Sequence, residues 1–96
     1  MGFQLALMYF QNGQKTQAVS LMERVVVLSP SFANARWYLA AMYKDRGDFD
    51  KALAQVQEVL KTNPGNSTVQ QELDDLSKKV KTPNTLPQPL EQAPKK

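Results

Sequence analysis

The chain has 96 residues, neither cysteine nor histidine, and a net charge of +3 from 12 lysines and arginines against 9 carboxylates. Without thiol or imidazole it has no disulfide, no thiolate nucleophile, no histidine base and almost no zinc or haem ligand set, so no enzymatic activity, metal or cofactor is expected. Its cations are interleaved with carboxylates and no apolar run approaches a membrane span, so neither nucleic-acid binding nor membrane insertion is expected. The chain reads as soluble, and a cytoplasmic location is slightly favoured, although a cysteine-free helical domain suits reducing and oxidising compartments alike.

Apolar residues spaced by three and four predict an all-α chain of five helices over 3–12, 15–29, 33–46, 49–62 and 67–81. The opening Met1-Gly2-Phe3-Gln4-Leu5-Ala6 already runs in a helical pattern and carries no cap, which reads as the C-terminal part of a longer protein. Asn12-Gly13 follows the first helix. Neither flank alternates apolar with polar residues, so the pair marks the end of a helix rather than a β-hairpin. Pro30 lacks an amide hydrogen and stops the second helix, and Gly47 ends the third. Asp48 is placed to cap the fourth helix, which Pro64 closes. After the loop-forming Asn63-Pro64-Gly65-Asn66, Ser67 with Gln70 three residues on reads as a capping box for the fifth. Leu73, Leu76 and Val80 give that helix one inward stripe. The proline-rich segment 82–96 has no periodicity and is expected to be disordered or extended.

Displacing the sequence by 34 positions lays Leu5 on Leu39, Ala6 on Ala40, Tyr9 on Tyr43, Gly13 on Gly47, Ala18 on Ala52 and Pro30 on Pro64. Each pair has a physical task. The glycines take the positive φ that ends a helix, the alanines let two antiparallel helices approach to about 8–10 Å, and the prolines separate the units.

This pattern resembles the tetratricopeptide repeat, whose period and whose order of Leu, small residue, Tyr, Gly, Ala and Pro it follows. The resemblance divides the chain into a first repeat over 1–32, a second over 33–66, a capping helix over 67–81 and the tail over 82–96. It implies a right-handed superhelix of antiparallel helix hairpins. The second unit is the fuller match. In the first, Lys15 stands where the family usually has an aromatic, and in the second Arg36 replaces the family's tryptophan while Trp37 follows one place later.

The family's groove for a peptide is lined by the first helix of each hairpin. Carried over residue by residue, the resemblance implies a binding surface of Phe3, Leu7, Phe10, Gln11, Asn34, Trp37, Ala41, Lys44 and Asp45, continued by Thr68, Gln71, Asp75 and Lys78. One half is apolar and the other polar, which suits an amphipathic helix or an extended peptide with apolar anchors. A branch of the family holds the terminal carboxylate of chaperone tails with Lys and Asn. Those slots hold Phe3 and Leu7 here, so no such clamp is expected. Two alternatives stay open. Phe3, Leu7 and Phe10 are either groove or a face that another repeat covers, and Trp37 is either a groove anchor or a wedge between helices. Two repeats are fewer than the three or so that usually stand alone, so self-association into a homo-oligomer through the apolar faces is the alternative to binding a foreign peptide.

Overall fold

The computed structural model describes residues 2–78. Five helices follow one another: α1 (Gly2–Gln11), α2 (Lys15–Leu28), α3 (Ala33–Asp45), α4 (Phe49–Thr62) and α5 (Ser67–Ser77), with no strand among the described residues. The all-α architecture matches the expectation, and each helix start lies within a residue of its expected place. Lys78 closes α5, its amide donating to the carbonyls of Asp74, Asp75 and Leu76. The expected end at 81, the contribution of Val80 to the stripe and the tail 82–96 lie outside the described residues.

α1 packs on α2 and α3 on α4 as hairpins, α2 packs on α3 to join them, and α5 closes against α4. Both hairpins turn through the same backbone geometry. The amide of Gln14 donates to the carbonyl of Tyr9 at 2.8 Å and that of Gly13 to Phe10 at 3.1 Å. In the second hairpin Asp48 donates to Tyr43 at 2.9 Å and Gly47 to Lys44 at 3.0 Å. This nested pair of bonds satisfies carbonyls that the ending helix leaves open, and it needs a left-handed residue near its end. Gly13 and Gly47 supply it with φ of +86° and +87°.

Ala6, Ala18, Ala40 and Ala52 are all buried, as expected of residues that set how closely the helices of a hairpin approach. A close approach that the sequence did not signal occurs at Gly2, where an added Cβ would lie 3.0 Å from a Val25 methyl. Met22, Leu39, Met42, Val56, Val59, Val69 and Leu76 are fully buried in one continuous core. Burying an aliphatic side chain of this size stabilises by about 1.5–3 kcal/mol. Val69, outside the stripe expected for α5, joins Leu73 and Leu76 on its inward face.

Two helix starts differ from expectation. Asp48 occupies the N-cap position of α4 but its side chain does not cap; it accepts a hydrogen bond from Arg46 Nε at 2.9 Å instead. The cap of α5 is Asn66, not Ser67. Its Oδ1 accepts from the amides of Thr68 at 2.9 Å and Val69 at 3.2 Å, the reach a short side chain has when it stands one residue outside the helix.

Candidate peptide-binding face

Contacts that skip a helix place α1, α3 and α5 side by side, with α2 and α4 behind them. The Phe3 ring of α1 lies 5.7 Å from the Tyr38 ring of α3, nearly edge-on at 69°. Lys44 of α3 is paired with Glu72 of α5. The residues expected to line a groove all belong to these three helices, but they contribute unequally to its surface.

Phe3, Leu7, Asn34, Ala41, Asp45 and Asp75 are half-buried, and Gln11, Thr68, Gln71 and Lys78 are exposed. Phe10, Trp37 and Lys44 are buried and offer a ligand almost no surface. Of the two readings left open for Trp37, its 4 % exposure and its membership of the core cluster favour the wedge over the groove anchor. Phe10 is covered by the chain itself, and Phe3 packs on Tyr38 and on Phe32, whose ring centroid is 4.9 Å away. Phe10 is therefore closed off, while Phe3 keeps part of its surface accessible. The most exposed apolar side chains of α1 are Leu5 and Met8.

The charges of this face are largely answered from within. Lys15 of α2 reaches Asp45 at 3.1 Å, and its ammonium lies 5.2 Å from the centre of the Phe10 ring. Lys44 loses its hydration on burial and is paired there with Glu72, which is itself only partly exposed. Asp75 accepts a hydrogen bond from Gln71 Nε2 at 3.1 Å, and Lys78 pairs with Asp74 at 3.4 Å. The same helices carry half-buried Phe3, Leu7 and Ala41, together with Asp45, which is paired with Lys15, and Asp75, whose carboxylate is hydrogen-bonded by the uncharged Gln71. Asp45 pairs with Lys15 and Asp48 with Arg46.

Behind the front row, Tyr43 of α3 donates its hydroxyl proton to Glu23 of α2. Burial, and then this bond to a carboxylate, raises the ionisation of Tyr43 far above the ordinary tyrosine value. Arg36, in place of the family's tryptophan, bridges with Nε to the Pro30 carbonyl and with Nη1 to Gln55, both at 2.9 Å. It ties α3 to the loop before it and to α4, doing with hydrogen bonds what a ring would do by packing.

Phe32, Lys15 and Glu72 bear on this face and were not singled out from the sequence as its parts. Phe32 had a readable signal: it stands at the N-cap of α3, where a ring cannot cap, so it is there to pack.

No curated protein matches the chain. The family model for the tetratricopeptide repeat matches residues 9–73, from within α1 to within α5 and across well over half of the sequence. With paired helices, glycine turns and prolines all in the order that pattern requires, the chain belongs to the tetratricopeptide repeat family, whose members generally mediate protein–protein interaction.

Proposed function

We propose that the face formed by α1, α3 and α5 takes up a peptide or helix from a partner protein, anchoring apolar side chains over Phe3, Leu7 and Ala41 and a basic group toward Asp45 and Asp75. What supports this reading is that half-buried Phe3, Leu7 and Ala41 and the carboxylates of Asp45 and Asp75 all belong to these three neighbouring helices, while Lys44 is paired with Glu72. An apolar anchor supplies affinity, and a charge at the rim supplies orientation. Selection from a displayed peptide library against the full chain tests it. Selected peptides are expected to pair apolar with basic residues and to lose at least about tenfold in affinity against Leu7→Glu, the effect of a charge placed in an apolar contact. They should bind Met8→Glu unchanged, because Met8 points elsewhere. Peptides indifferent to Leu7→Glu would refute the reading.

Self-association is a second reading, favoured by Val27 and Leu28, adjacent and more than three-quarters exposed at the end of α2. Sedimentation at tens of micromolar, with and without Leu28→Lys, decides it. A monomer throughout removes it.

A further inference from the structure

The end of the second helix is built differently in the two hairpins. Displaced by 34 positions, Arg24, Val27, Leu28 and Phe32 lie on Glu58, Lys61, Thr62 and Asn66. The second hairpin answers this edge from within: Lys61 pairs with Glu58 at 3.0 Å, and Asn66 caps α5 through the amides of Thr68 and Val69. The first leaves it open. Val27 is 76 % and Leu28 78 % exposed. Arg24 is exposed, and no carboxylate among the described residues pairs with it, its neighbour Glu23 being held by Tyr43. A missing neighbour is not the reason, because Lys61 and Thr62 are exposed as well, in a hairpin that has α2 on one side and α5 on the other.

Phe32 connects this edge with the front face. Its amide donates to the Ser29 carbonyl at 3.0 Å, which folds it back beside the last turn of α2, and its ring lies against that of Phe3 while remaining 37 % exposed. Arg24 stands three and four places before Val27 and Leu28 and so shares their side of the helix. An apolar path therefore runs from Phe3 over Phe32 to Leu28 and Val27, and it ends at an unpaired cation.

We infer that this edge continues the binding surface, and that its occupant is an extended segment of a partner protein with a basic residue at one end and an apolar residue beside a carboxylate at the other. The inference rests on the front-face reading and specifies its ligand: the basic residue goes to Asp45 and Asp75, the apolar residue to Leu28 and Val27, and the carboxylate to Arg24. Helix α3 has 13 residues and spans about 20 Å between Asp45 and the end where Phe32 stands. An extended segment covers that distance in about six residues and needs about three more to reach Arg24. A straight helix would leave the surface at Phe32, where the path passes from the front helices to α2. A second copy of the chain fits less well. The exposed side of its own α2 brings another Arg24 and no carboxylate, and three side chains, one of them mostly covered, fall far short of the roughly 800 Å² that each partner of a stable dimer buries.

Random peptides about twelve residues long are displayed, selected against the full chain and then measured in solution. Expected are binders with a carboxylate about eight to ten residues from a basic residue. They lose at least about fivefold in affinity against Arg24→Glu or Leu28→Lys, and on Arg24→Glu they recover to within about twofold when the peptide's carboxylate is replaced by lysine. The recovery separates a direct charge contact from a disturbed fold, and the helical spectrum of each variant checks that the chain stays folded. Lys61→Gln, at the matching place in the second hairpin, leaves the affinity unchanged. Binders that respond to Leu7→Glu but not to Arg24→Glu or Leu28→Lys overturn the inference and leave the front-face reading standing, as does a loss on Arg24→Glu that the lysine peptide fails to recover. Binders indifferent to Leu7→Glu, or a selection that returns none, overturn both. A concentration-dependent dimer that Leu28→Lys dissolves gives the edge to a second copy and overturns the inference alone.

Discussion

The two hairpins solve one problem with the same backbone and with exchanged side chains. Phe10 and Lys15 in the first correspond to Lys44 and Phe49 in the second, so aromatic and cation have swapped places across the turn. In both, a lysine still reaches a carboxylate on the next front helix: Lys15 to Asp45 of α3, Lys44 to Glu72 of α5. The difference lies in depth. The Lys15 side chain is 37 % exposed and the Lys44 side chain 5 %. The turn is invariant because only glycine reaches its φ cheaply, while the cation moves because any position that delivers an ammonium to the neighbouring helix will serve. What changes with position is how much of the fold depends on it.

That contrast is broken most directly at the buried pair. Glu72→Ala leaves the Lys44 ammonium in the core without its counter-charge and should cost about 3 kcal/mol in urea-induced unfolding, with Lys44→Met restoring most of the loss when combined with it. If Glu72→Ala costs no more than a surface substitution, the depth contrast is wrong. Tyr43→Phe removes the bond that joins the hairpins through Glu23 and should cost about 1.5 kcal/mol, the worth of a hydrogen bond to a charged acceptor. It also sharpens the pH behaviour. The folded chain holds the Tyr43 proton more tightly than the unfolded chain, so this contribution is complete below pH 10.0, the unfolded value, and falls as pH rises above it. The phenylalanine variant should accordingly show a shallower alkaline loss of stability. Gly13→Ala and Gly47→Ala should each cost about 1 kcal/mol in thermal unfolding, and by equal amounts, because their φ values agree and an added Cβ meets nothing within 4 Å at either. Smallest is Lys15→Gln, at about 0.5 kcal/mol and fading in high salt, as for an exposed ion pair.

The helices were legible because glycine and proline punctuate the chain at positions no packing argument is needed to find. Gly13, Gly47, Pro30 and Pro64 act through their own backbones, so reading them requires no knowledge of neighbours. The front face was only partly legible for the opposite reason. Whether Phe10, Trp37 or Lys44 reaches solvent depends on what stands beside it, and all three are covered by the rest of the chain. Repeat position therefore predicted which helix face a residue lies on but not its exposure. The exposure of Leu5 followed the same logic: the repeat lays it on Leu39, which is 1 % exposed, yet Leu5 is 42 % exposed. The cap of α5 was missed by one residue because Asn66 and Ser67 are both good caps and sequence alone does not rank adjacent ones.

The open space around Gly13 and Gly47 shows that the turn between front and back helices imposes a requirement of handedness, not of size. An L-residue is penalised there through its own stereocentre, and a mirror-image residue is at home in that region of backbone space. A chain of 96 residues can be assembled by chemical ligation. D-alanine at both positions would relieve the strain that L-alanine creates and would remove the freedom glycine retains when unfolded, so the two turns that nature built from the most flexible residue would become the stiffest points of the fold.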